Sequence, residues 1–297
     1  MKSTMKNLDV HPVAVTGRVD RRPHTRLLPT FLLILGSVYC LIPVVWVFVA
    51  ASKSDGELFS TFTFAPGTGL FSNLGDLFAY ENGQFALWAA NSVLYAGVGA
   101  VLSTFVSTMA GYALAKYEFR GRNLIFYSIL AGVLIPGITL AIPQYLLMSQ
   151  VGLAGNPLSV LLPSIISPFG IYLSRVYCES AMPKETLEAA RIDGASEWRT
   201  FSSIALPLLV PGMVTVFLLQ FVGIWNNFLL PFVMLSDQDN YPLTVGLFTL
   251  LSKGSGSPAL YTLAITGAAV SIVPLIALVL FLQRFWKLDL ISGGIKG

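Results

Sequence analysis

Five stretches of the chain, 27–52, 82–115, 123–174, 200–236 and 254–283, contain no Asp, Glu, Lys, Arg or His. Each can supply at least one membrane-spanning helix, which needs about 20 apolar residues to cross a hydrocarbon core about 30 Å thick. The stretch 123–174 is too long for one helix, and the run from Ser149 to Pro157, with Gly152, Gly155 and Asn156, interrupts it with turn formers. The pattern therefore predicts six helices, near 27–50, 87–114, 124–148, 158–174, 209–233 and 260–282. Lipid admits only helices or closed barrels, and these runs lack the two-residue alternation of barrel strands. The expected fold is an all-α integral membrane protein with six transmembrane helices.

The charges sit in the connections, and connections rich in Lys and Arg alternate with connections poor in them. Lys and Arg number 6 in residues 1–26, 3 in 116–122, 4 in 175–199 and 3 after 283, against 1, 0 and 1 in the intervening segments 53–81, 149–157 and 237–253. Positive connections stay cytoplasmic, which predicts both termini and the loops 116–122 and 175–199 on the cytoplasmic side. The segment 53–81 is expected to be an outer surface loop with a short helix around Phe71 to Tyr80. The uncharged stretch from Leu27 to Ser52 exceeds the roughly 7–15 residues of a signal-peptide apolar region, so a retained first span is expected.

Composition excludes other classes. Of 297 residues, 55% are hydrophobic and 11% charged, with mean hydropathy +0.72; a soluble domain carries roughly 25% charged residues. The net charge of +3 is not gathered on one soluble face, so nucleic acid is not an expected partner. Cys40 and Cys178 stand apart and form neither a disulfide framework nor a metal-ligand spacing. The spans lack ionisable groups, which removes most support for ion-coupled transport. No phosphate-binding loop of the G-x-x-x-x-G-K-[ST] type occurs, so energy from ATP must enter through another chain.

Polar chemistry at membrane depth is confined to amides and hydroxyls. Asn91, Gln144, Gln220, Asn226 and Asn227 can line a path for a neutral hydroxylated solute, or can serve as interhelical hydrogen bonds or helix ends. Trp225 can stack on a sugar face or anchor a helix at the interface. The small residues Gly97, Gly99, Ala100, Ser103, Ser107, Ala110 and Gly111 of the second span read as a packing face.

The loop from Arg175 to Arg199 carries nine charges, at about 2.5–3.5 kcal/mol each in mid-membrane, and must lie in water. It nevertheless reads as structured. Pro183 suits a first helical position, Glu185 and Glu188 lie near the positive end of the helix dipole, and Gly194 follows the helix end. Ser196 then caps a second helix through Trp198 and Phe201. The result is a short helix, a glycine break and a re-entering helix.

This loop resembles the mark of the membrane-spanning permeases of binding-protein-dependent ABC importers: E-A-A, three residues, G, nine residues, I-x-L-P. Glu188, Ala189, Ala190, Gly194, Ile204, Leu206 and Pro207 match each element. Further stretches are similar to the carbohydrate, maltose-type branch: Asn91 and Ser92, residues 113–121, 142–145 and 225–231, and the terminal 293–297. The resemblance covers Leu27 to Gly297.

The resemblance implies a type I importer fold, with a cytoplasmic tail over 1–26 and a permease domain over 27–297. Its core would be about 86–284 and its coupling loop 175–207. It implies that Glu188, Ala189, Ala190, Asp193, Gly194, Ile204, Leu206 and Pro207 couple to an ATPase that binds ATP and Mg, with no cofactor in this chain. The implied partners are two ATPase subunits, a second homologous permease and an extracytoplasmic solute-binding protein in a bacterial cytoplasmic membrane, with the outer loop 252–258 and the C-terminal tail as further contacts. The implied solute is a sugar or oligosaccharide. A polyol, glycerol phosphate or amino acid, or an ATP-independent channel, stays open on the residues alone.

Overall fold

The computed structural model describes residues 27–254 and 257–293. The N-terminal tail, residues 255–256 of the 252–258 loop and residues 294–297 of the terminal motif lie outside the described residues.

Among the described residues fourteen α-helices follow one another, with no strand. They are α1 (Leu27–Ala51), α2 (Asp55–Ser60), α3 (Leu70–Ala79), α4 (Gln84–Lys116), α5 (Arg122–Val133), α6 (Gly137–Gln150) and α7 (Leu158–Ile165). The chain continues as α8 (Pro168–Ala181), α9 (Lys184–Ile192), α10 (Glu197–Arg199), α11 (Leu206–Trp225), α12 (Leu229–Met234), α13 (Leu243–Gly254) and α14 (Pro258–Gly293). A π-helical segment, Thr200–Ala205, joins α10 to α11.

Among the described residues, five helical stretches are long and apolar enough to cross a membrane, and a sixth if α5 and α6 form one bent span. The third expected helix, near 124–148, is thus two, meeting at 105°. Pro136 cannot donate a helical hydrogen bond and disfavours helical backbone at Ile135, so the helix ends before this pair and restarts at Gly137. The fourth is broken at Ile166 and Ser167 and runs on to Ala181, through Arg175 and Glu179. The fifth breaks after Trp225, and α2 and α13 are helices in segments expected as loops.

The chain divides into two units between Val45 and Trp46, within α1. In the first, residues 27–45 are helical and almost all exposed. In the second, α4 is the central helix, packing on α8, α11 and α7. Its small face does what the composition predicts: Gly99, Ala100, Ser103, Ser107 and Gly111 are buried, whereas Gly97 meets nothing. A Cβ at Gly111 would lie 2.6 Å from both Ser174 Cβ and Arg175 N, so α4 and α8 touch nearly backbone to backbone. Between apolar helices in lipid, such close van der Waals contact drives association.

Two buried clusters mark the ends of this unit. One gathers Leu77, Phe85, Trp88, Phe221, Trp225 and Leu250 near α3 and α13. The other, at the α9 end, gathers Tyr112, Cys178, Met182, Leu187, Phe201 and Leu209.

Candidate functional site

A cavity of about 740 Å³ opens where three spans are interrupted: the α5–α6 bend, the α7–α8 break and the α11–α12 break. Irregular backbone at membrane depth persists only where it is buried in protein or lines an aqueous cavity. Ser167 resolves the second break. Its hydroxyl oxygen accepts from Gly170 N at 3.0 Å, capping α8, and from Gln220 Nε2 at 2.6 Å. At the third break, Asn226 Nδ2 donates to Val222 O at 2.8 Å and Asn227 Oδ1 accepts from Leu230 N, in the first turn of α12, at 3.3 Å.

Gln144, Gln220, Asn226 and Asn227 therefore meet at one cavity, joined by Ser164, Ser167, Phe169 and Phe228, and no charged side chain lines it. Gln144 contributes an amide with no hydrogen-bond partner among the described residues. Such a lining offers donors, acceptors and two aromatic faces to a neutral, hydroxyl-rich solute. The hydroxyls and phenylalanines were missed by reading amides alone; the run from Ser164 to Phe169, with Pro168, was the available break signal.

Asn91 and Trp225 lie elsewhere. Asn91 Nδ2 donates to the carbonyls of Asp239 and Tyr241 at 2.7 and 3.1 Å. It belongs to a row on α4 that grips the 238–243 connection: Gln84 Nε2 and Trp88 Nε1 reach Gln238 O, Tyr95 OH reaches Asn240 O, and Ser92 Oγ accepts from Leu243 N. Trp225 is buried and stacks on Phe221, with centroids 5.6 Å apart. Its indole fills the core instead of facing the cavity.

The charged loop folds as a knob. α9 begins at Lys184, one position after Pro183, and Gly194 has φ +74, the left-handed conformation that a Cβ disfavours. Ser196 Oγ then accepts from Arg199 N at 3.3 Å. Leu187 and Ala190 are buried and fix α9 to the core, leaving Glu188, Ala189, Ile192 and Asp193 exposed.

Arg191 Nε pairs with Glu197 at 3.2 Å, and Tyr117 OH donates to the same carboxylate at 2.7 Å. Burial, reinforced by the Glu197 hydrogen bond, pushes the Tyr117 phenol up, so it stays a donor. Arg191 is thus engaged away from Glu188, whose carboxylate has no ion-pair partner among the described residues. The Lys116 ammonium also donates to Met182 O, closing the loop onto the end of α4.

Past the knob, Ile204 and Leu206 are half-buried and Pro207 is exposed. Pro207 cannot donate to Ser203 O, and the wider π-turn lies directly before it, with Leu206 N bonded to Phe201 O.

Residues 103–287 match the family described as binding-protein-dependent transport system inner membrane component. The chain is 37% identical over 258 residues to the arabinooligosaccharides transport system permease protein AraQ of Halalkalibacterium halodurans, covering 86% of this chain and 91% of that protein. It is 34% identical over 224 residues to the diacetylchitobiose uptake system permease protein NgcG of Streptomyces coelicolor, covering 75% and 73%. A chain of a bacterial ABC transporter involved in import of the acidic polysaccharide alginate superposes with a TM-score of 0.76 at 25% identity, over 88% of this chain and 96% of that one. With a knob of this spacing and matches of this extent, the chain belongs to the family of binding-protein-dependent transport system inner membrane components.

Proposed function

We propose that this chain is one permease subunit of an ATP-driven importer of a sugar or oligosaccharide in a bacterial cytoplasmic membrane. A binding protein delivers the solute at the outer face, and a second, homologous permease completes the path. ATP and Mg bind to two separate ATPase subunits, and this chain is not an enzyme. In this reading its α5–α6 pair counts as one span, giving six, and the alternation of Lys and Arg counts between the connections supports a cytoplasmic position for both termini and the knob.

The observation that carries the coupling role is the knob: α9 is tethered by Leu187 and Ala190 while Glu188, Ala189 and Asp193 stay free at its surface. Small Ala189 permits close approach of a partner, and the two carboxylates attract basic groups on it. Closure of the ATPase pair would carry two such knobs together and rock the spans, exposing the cavity alternately to each side. For the solute, the uncharged lining favours a neutral polyhydroxyl compound over a phosphate ester, in keeping with the arabinooligosaccharide and diacetylchitobiose systems of its relatives.

Reconstitution with its partner permease, ATPase subunits and binding protein tests this. ATP-dependent accumulation of an oligosaccharide in proteoliposomes is expected, and accumulation that persists without ATP would replace this reading with a facilitator. Sidedness is tested in intact cells by impermeant thiol reagents, with Phe71→Cys labelled from outside and Ile192→Cys only after permeabilisation, in a Cys40→Ser background.

A further inference from the structure

The aromatic rings below the cavity form a connected series that the three buried clusters do not contain. It begins at Phe169, near the start of α8, which lines the cavity and is 45% exposed. Tyr172, one turn on, has its ring centroid 6.4 Å from that of Phe169. Phe126 of α5 stacks on Tyr172 at 6.3 Å with planes 26° apart. The Arg175 guanidinium carbon then sits 3.7 Å from the Phe126 ring centre, and Arg175 Nε pairs with Glu179 at 2.9 Å. Along α8, the six steps from Phe169 to Arg175 rise about 9 Å, from the cavity toward the α9 end.

Rings that merely stitch two helices together bury their faces between them. Here the first ring of the series is open to a cavity walled by Gln144, Gln220, Asn226 and Asn227. A sugar ring carries an apolar C–H face and a rim of hydroxyls, so it needs a flat aromatic platform with amides beside it. Passage further requires several platforms of moderate strength in place of one tight site, because a solute held too well does not leave. At the far end, Arg175 Nη1 is buried with no hydrogen-bond partner among the described residues.

We propose that Phe169, Tyr172 and Phe126 form a stacking track along which sugar rings leave the cavity toward the cytoplasm, ending at the Arg175–Glu179 pair. It rests on the sugar-importer reading above, and adds a route and its specificity-determining residues. Opening of the α5–α8 seam during transport bares Tyr172 and Phe126 in turn, and the freed Arg175 donor meets the sugar hydroxyls at the exit.

The test uses the complete reconstituted importer, with arabinotriose and diacetylchitobiose as probes. Phe169→Leu and Tyr172→Leu retain apolar volume and remove the flat face, whereas Phe169→Trp keeps one. The maximal uptake rate is expected to fall roughly three- to tenfold in the leucine variants. Half-saturation, set by the binding protein, is expected to stay unchanged, ATP hydrolysis stimulated by that protein to persist, and Phe169→Trp to recover most of the rate. Leucine variants that transport like the unsubstituted protein overturn the track. Parallel loss of uptake and stimulated hydrolysis, not recovered by Phe169→Trp, overturns it in favour of a packing role. If the unsubstituted importer accumulates neither probe while its ATPase responds to the binding protein, the sugar reading itself fails.

Discussion

Gln220 Nε2 lies 2.6 Å from Ser167 Oγ, joining the C-terminal part of α11 to the residue that caps α8 at the wall of the cavity. One hydroxyl thus caps a helix and holds a neighbouring span, so movement of α11 is transmitted to the break between α7 and α8. Gln220→Leu removes the cross-link and leaves the cap from Gly170 N in place. Hydrogen bonds between membrane helices contribute about 0.6–1.7 kcal/mol, so a small drop in thermal stability in detergent is expected, with a larger loss of uptake. An unchanged melting temperature and unchanged uptake together would show that the contact is idle.

The α4–α8 contact permits a sharper stability test. Gly111→Leu forces a side chain where even a Cβ would meet Ser174 and Arg175 at 2.6 Å. Overpacking of this kind costs about 1–3 kcal/mol, and backbone atoms cannot step aside as a flexible side chain would. The expected result is a lower melting temperature and lower yield in the membrane fraction. Gly97→Leu, on the same helix with nothing within 4 Å of its Cβ, is the matched control and is expected to behave as the original.

Absence of charge located the spans because lipid penalises charge whatever path the backbone takes. For the same reason it was silent about the breaks: a bent or restarted helix in a sheltered cavity carries no charge either. Pro136 and Gly137 lay inside the longest uncharged stretch and stood as the only local sign of the 105° bend.

The knob was more legible. Its helix, its left-handed glycine and its Ser196 cap depend on local backbone chemistry that residue types report directly. The amides divided by tertiary placement: Gln220 and Asn91 are equally polar, yet one reaches the cavity and the other grips a carbonyl of the 238–243 connection. No single-chain pattern separates those fates.

Coupling through the knob predicts that surface charge and backbone freedom can be removed separately. Glu188→Lys reverses an exposed carboxylate for which the described residues show no ion-pair partner, so the permease is expected to insert and melt normally while losing ATPase capture and uptake. Gly194→Val places a β-branched residue at φ +74, a strain of about 1–2 kcal/mol that tilts α9 off the core. Partial loss of ATPase capture with a modest drop in melting temperature is expected there. Copurification of the ATPase subunits with each variant is the measurement, and full capture by Glu188→Lys would remove that residue from the interface.

The row of polar side chains on α4 that grips the 238–243 connection leads to a prediction about the end of this unit away from α9. Asn91 supplies two hydrogen bonds to the 238–243 connection, while Gln84, Trp88, Ser92 and Tyr95 supply the rest. Asn91→Leu removes both Asn91 bonds, and the neighbouring donors keep the segment from detaching altogether. Local opening should therefore become easier without global unfolding. In hydrogen–deuterium exchange, amides around 238–243 are expected to exchange roughly tenfold faster, as a loss of about 1.4 kcal/mol of local stability dictates. Exchange in α9 should be unchanged, because the knob is anchored through Leu187 in a separate cluster. If exchange around 238–243 stays as slow as before, the remaining bonds hold the connection alone and Asn91 is not a determinant of its rigidity.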